Sequence, residues 1–194
     1  MTPDIARAIV QADQLWRGGR LAEAEQTLRR LLAAYPDTAP ALHLLAHLLQ
    51  LKDEPTEATR LAQRAAALSP HDAAIANTLG NLLYAGGDVA AAQAAYAKAA
   101  AAQPGYAEAH HNHGLMLREL GCASDALAAQ QRAAALRPYP EALAQIGHLL
   151  AAQGRHGEAL PRLDEALRLR PNYFDALYYK GVSLTALQRH EDAQ

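Results

Sequence analysis

Residues 79–104 read LGNLLYAGGDVAAAQAAYAKAAAAQP, and the main features of this stretch recur along the chain. An apolar segment around Gly80 is followed by the turn-forming pair Gly86-Gly87, an alanine-rich segment and a closing proline. The closing proline recurs at a spacing of 34 residues, and finally of 33, as Pro36, Pro70, Pro104, Pro138 and Pro171. Self-similarity at a fixed period of this length predicts a repeat architecture.

Small residues recur with the same period. The middle of each first segment carries Ala12, Ala46, Gly80, Gly114, Gly147 and Gly181. An early position of each second segment carries Ala24, Ala58, Ala92, Ala126, Ala159 and Ala193. Where two helices cross closely, a larger side chain would force the backbones apart, at a cost of about 1–3 kcal/mol. The pattern therefore predicts two packed helices in each unit, joined by a glycine turn, with proline ending the second helix.

The composition agrees with an all-α fold and narrows the range of partners. Much of the 51% hydrophobic content is alanine, the best helix former, whereas aromatic residues make up only 5%. The 18 basic and 20 acidic residues are mixed along the chain and form no basic stripe. The charge pattern therefore does not indicate a nucleic-acid partner. The N-terminal segment has charges where a signal peptide needs an apolar core, and no apolar run reaches transmembrane length. We therefore expect a soluble, cytoplasmic protein with no membrane partner.

The repeat resembles the tetratricopeptide repeat, a 34-residue helix–turn–helix with small residues at these places and a terminal proline. The resemblance implies a right-handed superhelical solenoid of antiparallel helix pairs, in a single array over residues 1–194. The expected units lie near residues 5–38, 39–72, 73–106, 107–139 and 140–173, with a partial sixth at 174–194. It also implies a protein-binding scaffold in which the first helices line a concave groove.

The resemblance also implies which side of the first helices lines this groove, and helical spacing then gives the side chains on that side. They are His43, His47, Asn77, Asn81, Tyr84, Glu108, His111, Asn112, Arg118, Gln145, His148, Tyr178 and Tyr179. Most are neutral groups that can donate to and accept from a peptide backbone without demanding a particular sequence. We interpret the face as a groove for an extended peptide or a partner helix; the alternative is a solvated face that binds nothing. Protonation of accessible histidines through about pH 6.5 would then favour acidic peptides at low pH.

Three histidines in four positions, His110, His111 and His113, do not predict a metal site. At 100° per residue, His110 and His113 face the packing side of the helix, while His111 points about a quarter turn away. A zinc site needs three or four ligands that converge on one point, and the better-spaced pair of His43 and His47 lacks an obvious third ligand. We therefore expect no metal.

Catalytic motifs are also lacking in the sequence. It contains no GxSxG, no phosphate-binding glycine loop and no HExxH. Cys122 is the only cysteine and lies near His113 in sequence, but nothing supplies the third orienting group and the oxyanion hole that a Cys-His nucleophile needs. We expect no cofactor and no enzymatic activity. A second hypothesis makes the chain the N-terminal recognition arm of a larger enzyme, because RLAEAE, LGNLLYAGGD and RPNYFDALY resemble arrays fused ahead of glycosyltransferases, sulfotransferases or iron-dependent oxygenases.

Two local features carry further expectations. Pro161 lies within the second helix of the fifth unit and predicts a kink or a delayed start there. The sixth unit has no complete second helix, so its apolar face, with Leu177, Leu184 and Leu187, would lack its usual cover. Two outcomes follow: either this last helix frays, or it packs against another copy of the chain, so that self-association through this face is an additional option.

Overall fold

The structure is a computed structural model that describes residues 2–191, with side chains up to residue 189. Every regular element in this range is an α-helix, which confirms the prediction of an all-α fold. The helices are α1 (Pro3–Arg17), α2 (Leu21–Ala34), α3 (Ala39–Leu51), α4 (Pro55–Leu68), α5 (Ala73–Ala85), α6 (Val89–Ala102), α7 (Ala107–Glu119), α8 (Ala123–Leu136), α9 (Pro140–Ala152), α10 (His156–Leu169) and α11 (Phe174–Glu191). None of these helices combines the length and the apolar character needed to cross a membrane.

Consecutive helices pack as pairs, and α11 stands where the first helix of a sixth pair is expected. The turn inside each pair places one residue in the left-handed backbone region. Glycine takes this place in four pairs, as Gly19, Gly87, Gly121 and Gly154. Asp53 takes it in the second pair, with φ of 60°. Aspartate tolerates this conformation better than most side chains, so the turn survives the loss of glycine.

The chain forms two compact units, Met1–Ala102 and Gln103–Gln194, here called unit 1 and unit 2. The core of unit 1 is built around fully buried leucines of α2 and α3, among them Leu28, Leu42 and Leu45. The core of unit 2 is built around Leu143 of α9 and Leu163 of α10, surrounded by buried alanines. A single array over residues 1–194 stays a prediction.

The small residues of the first helices face side chains of the second helices at very short range. A Cβ added at Gly80 would lie 2.6 Å from the Tyr96 ring. In unit 2, a Cβ at Gly114 would lie 2.7 Å from the Gln130 amide, and one at Gly147 would lie 2.5 Å from Leu163. Glycine is thus required by close approach in these three pairs. No atom of residues 2–189 that is counted for this purpose comes within 4 Å of a Cβ at Gly181, and the recurring alanine expected at residue 193 lies outside the described residues.

Of the two alternatives expected at Pro161, the delayed start is wrong, and the kink stays a prediction. Helix α10 is unbroken from His156 to Leu169, and the N–H groups of Glu158 and Ala159 both donate to the Arg155 carbonyl at 3.1 Å. The proline removes the hydrogen bond to the carbonyl four residues earlier, that of Gly157. Gly157 is exposed, so water can satisfy this carbonyl and the helix keeps the length of the other second helices.

Candidate functional site

In unit 1, side chains from three successive first helices form a row of contacts. The ring of Trp16 on α1 lies 5.6 Å from that of His47 on α3, and the His47 ring lies 5.6 Å from that of His43, measured between centroids. His43 Nε2 lies 2.8 Å from Thr78 Oγ1 on α5, within hydrogen-bond distance. We call Trp16, His43, His47 and Thr78 the unit 1 row. The row joins two predicted groove residues to two that were not selected, of which Thr78 is 4% exposed and contacts His43 from the packed interior.

The other groove residues predicted in unit 1 differ in their accessibility. Tyr84 is 47% exposed, and Asn81 is half-buried with its Oδ1 accepting a hydrogen bond from the Tyr96 hydroxyl at 2.8 Å. Asn77 is only 4% exposed. Its side chain therefore lies in the packed interior. The predicted groove face of α5 includes residues that pack against neighbouring helices, and Asn77 is one of them.

Unit 2 contains a second row with the same organisation. Arg118 Nη1 on α7 donates to Gln145 Oε1 on α9 at 2.5 Å and lies 3.5 Å from His148 Nδ1. The His148 ring stacks on Tyr179 of α11, with centroids 4.1 Å apart and planes at 11°. We call Arg118, Gln145, His148 and Tyr179 the unit 2 row. Tyr178, 56% exposed, meets Tyr179 edge to face at its end.

His111 lies outside this row because the second helix of its own pair holds it. Its Nδ1 lies 2.8 Å from Gln130 Oε1, and Gln130 Nε2 donates to the His111 carbonyl at 3.0 Å. The imidazole also meets the Tyr139 ring edge to face, with centroids 5.3 Å apart. Gln130 is 1% exposed, so the pairing ties His111 to the core of unit 2. Asn112 beside it is half-buried.

A cavity of about 380 Å³ opens beside His111. Glu108, which is exposed, and Arg137 bring opposite charges to its lining, and Tyr139 contributes its ring. The Tyr139 hydroxyl is buried and has no hydrogen-bond partner within residues 2–189. Burial of this hydroxyl raises the pKa of Tyr139. Sequence spacing did not reveal the contribution of Tyr139, because it precedes α9 rather than lying on a first helix.

The three neighbouring histidines lie in different surroundings. His110 Nε2 lies 3.1 Å from the Pro104 carbonyl, His111 binds Gln130, and His113 is half-buried. Within the described part of the chain, no three or more His, Cys, Asp or Glu side chains are grouped to hold a metal ion.

The half-buried histidines resist protonation. Burial lowers the pKa of His43, His111 and His148, because the charged imidazolium loses hydration. His47 adds to this effect at His43, and Arg118 adds to it at His148. The expectation that these three groups charge through about pH 6.5 is therefore wrong. The preference for acidic peptides at low pH stays a prediction, to which these positions contribute less than free imidazoles would.

We expect the free energy of unfolding to decrease as the pH falls below about 6.5. The pKa of His43, His111, His113 and His148 is lower in the folded than in the unfolded chain, so unfolding takes up protons. The stabilisation is complete above the unfolded pKa and is lost as the pH falls through the folded pKa. Urea unfolding at about pH 7.5 and pH 5.5, followed by circular dichroism, measures the difference.

A matched pair of variants assigns this pH dependence. His43→Gln removes one half-buried imidazole and is expected to reduce the stability difference between the two pH values. His71→Gln removes an exposed imidazole of the same unit and serves as its control. Equal stability of the wild type at both pH values, or an equal effect of both variants, would contradict the assignment.

Family models and solved structures agree on the fold. A model described as tetratricopeptide repeat matches residues 77–141 and 145–193, and a second with the same description matches residues 5–48. No curated protein sequence matches the chain. Among solved structures, YrrB, a TPR protein with an unusual peptide-binding site, has a TM-score of 0.78 at 21% identity over 90% of both chains.

Two further solved structures resemble the chain. MamA has a TM-score of 0.76 at 22% identity, covering 82% of this chain and 94% of its own. TTC0263 of Thermus thermophilus, a thermophilic TPR protein, has a TM-score of 0.64 at 24% identity, covering 93% and 99%. Proteins with this fold are generally non-catalytic scaffolds for protein–protein interaction. The first repeat model alone matches more than half of the chain, and the chain therefore belongs to the tetratricopeptide repeat family.

Proposed function

We propose that this protein is a non-catalytic scaffold that binds extended peptide segments of its partners along the unit 1 and unit 2 rows. The observation that supports the proposal best is the organisation of the unit 2 row. Side chains of three successive first helices touch one another there, from Arg118 through His148 to Tyr179, while remaining partly exposed. A row of this kind presents polar groups at the repeat spacing, to which an extended chain can bind.

The chemistry of the rows suits a peptide backbone. Each peptide unit offers one N–H donor and one carbonyl acceptor, and imidazole, amide and guanidinium groups together provide partners for both. Tyr84 in unit 1 and Tyr178 in unit 2 are exposed aromatic side chains that can contact apolar side chains of the ligand. The structural similarity to YrrB, a TPR protein with an unusual peptide-binding site, supports a peptide as the class of ligand.

We expect that removing four row or row-adjacent side chains abolishes partner capture. The variant carries His47→Ala and Asn81→Ala in unit 1 with Arg118→Ala and Tyr178→Ala in unit 2. Each substitution weakens binding by about tenfold if the side chain contributes about 1.4 kcal/mol. Pull-down from host lysate with mass-spectrometric identification measures the loss, after circular dichroism has established that both proteins are equally helical.

A control variant changes the same number of side chains on the second helices. Arg60→Ala, Gln63→Ala, Gln131→Ala and Arg132→Ala all lie at exposed positions of α4 and α8. Partners lost only from the row variant support the proposal, and partners retained equally by all three proteins contradict it. Overlapping synthetic peptides of a captured partner, measured by fluorescence anisotropy, then test whether an extended segment is sufficient for binding.

A further inference from the structure

A separate groove runs along α6 in unit 1, apart from the residues of the unit 1 row. Leu79 and Leu83 of α5 form its floor, and one face of α6, from Ala91 to Ala102, forms its long wall. The end of α4 and the residues that follow it, from Ala66 to His71, form the short wall. We call this surface the α6 groove; its volume is about 620 Å³.

Small side chains on α6 create the groove. The repeat period aligns Ala95 with Leu61 of α4 and Ala102 with Leu68, so leucine is replaced by alanine twice on this helix. The α6 residues that line the groove lie within twelve positions, Ala91 to Ala102, which extend over about 16 Å at 1.5 Å for each step between residues. This length corresponds to three helical turns. An alanine-lined wall also allows the backbone of another helix to approach closely.

The charge of α6 differs from that of every other second helix. At the position of Ala91 the other four carry an acidic residue, as Glu23, Glu57, Asp125 and Glu158. Lys98 is exposed and lines the groove, whereas no aspartate or glutamate does. It forms no ion pair within residues 2–189. The α6 groove therefore combines an apolar floor with one positive charge that no carboxylate of the described chain neutralises.

Two carboxylates of unit 1 close to the ends of α5 and α6 are engaged by backbone groups. Asp72 caps α5, where its Oδ1 accepts hydrogen bonds from the N–H groups of Ala74 and Ile75 at 2.9 and 3.1 Å. Asp88 caps α6 by accepting from the Ala91 N–H at 3.0 Å. Their charge is directed at helix N-termini, which carry a partial positive charge of their own. The charged side chain available to a ligand in the groove is therefore that of Lys98.

We propose that the α6 groove binds an acidic amphipathic helix of a protein partner. The apolar stripe of that helix contacts Leu79, Leu83 and the alanines of α6, and a carboxylate of its flank pairs with Lys98. The three-turn length, the apolar floor and the unneutralised positive charge match this occupant, since amphipathic helices bind apolar grooves through residues at helical spacing. The site is distinct from the rows proposed to bind extended peptide.

The test uses two fluorescein-labelled model helices with the same leucine stripe at helical spacing. One carries glutamates on its flanks, and its twin carries lysines at the same positions. Fluorescence anisotropy at low salt measures the dissociation constant of each peptide for the full chain. We expect the acidic helix to bind at least about tenfold more tightly than its basic twin, because only the former can pair with Lys98.

Two variants locate the binding. Ala91→Glu introduces the acidic residue that the other second helices carry at this position, so the helix is expected to keep its structure. Lys98→Gln removes the positive charge. Each is expected to weaken binding of the acidic helix by about tenfold. Gln131→Glu places the same added charge on an exposed position of α8, outside the groove, and should leave binding unchanged.

Several outcomes would overturn the proposal. Equal affinity for the two twins would do so, as would a failure of the acidic helix to bind or an unchanged affinity of Ala91→Glu. Binding of laurate that depends on Lys98, without binding of the acidic helix, would instead assign the groove to a small amphiphilic carboxylate. The row variant should bind the acidic helix like the wild type, so failure of the peptide scaffold and failure of this groove are distinguishable.

Discussion

Replacing Gln130 by alanine is expected to lower the free energy of unfolding by about 2–4 kcal/mol. The side chain is 1% exposed, packs against Gly114 and makes two hydrogen bonds to His111. Alanine would leave a cavity in the core of unit 2 and remove the partner of the His111 imidazole. Because the Gln130 hydrogen bond favours the protonated imidazole, its loss should also lower the pKa of His111 further. Urea unfolding and the NMR titration of His111 measure the two effects.

Gln130→Leu separates volume from hydrogen bonding. Leucine occupies the equivalent place in two other pairs, as Leu28 and Leu163, both fully buried. It should therefore fill much of the space and cost about 1–2 kcal/mol, chiefly through the lost hydrogen bonds. If Gln130→Ala and Gln130→Leu were equally destabilising, the packing contribution assigned to Gln130 would be wrong. If neither altered the His111 titration, the hydrogen-bond assignment would be wrong.

Gly80→Ala is expected to destabilise unit 1 by about 1–3 kcal/mol, even though alanine is the better helix former. The new Cβ would lie between 2.6 and 2.9 Å from three atoms of the Tyr96 ring. That ring cannot rotate away freely, because it is buried and its hydroxyl donates to Asn81. The overlap can be relieved only by moving α5 and α6 apart. Urea unfolding of the variant measures the cost.

Gly181 offers a matched control, since it occupies the same position of the repeat in α11. Among residues 2–189, a Cβ at Gly181 would have no heavy atom within 4 Å, apart from its own helix backbone and chain neighbours. Gly181→Ala should therefore stabilise α11 by about 0.5–1 kcal/mol through helix propensity alone. Opposite signs for the two substitutions would establish that close packing, and not glycine itself, decides the effect. Destabilisation by both would contradict this account.

The helix pairs could be predicted from the sequence because their signals are local and repeated. Proline ends a helix wherever it follows one, and glycine supplies the positive φ of a tight turn, whatever surrounds them. Asp53 shows how robust this logic is, since the second turn forms without glycine. Pro161 is a case in which local signals alone do not predict the structure. Its effect on α10 depended on the position in the helix and on the exposure of Gly157, which the proline alone does not report.

The candidate site was only partly predictable, because accessibility depends on neighbouring helices. Helical spacing selected His43 and His148, and both lie in the rows, but their burial and its effect on their pKa come from contacts made by other helices. Asn77 lies on the selected face and is buried. Tyr139 reaches the site from outside the first helices, where a search along their faces could not find it.

By itself, the sequence determined the all-α fold, the helix pairs with their turns, and the small residue at each helix crossing. Helix propensity, the backbone conformation of glycine and proline, and the repeat period all act within a single helix pair, so they can be recognised without the tertiary structure. Only the tertiary structure decided what each small residue faces: Tyr96 at Gly80, Gln130 at Gly114 and Leu163 at Gly147. It also decided which polar side chains touch across successive helices. The reason is physical, because burial and contact are properties of packed surfaces that distant segments create together.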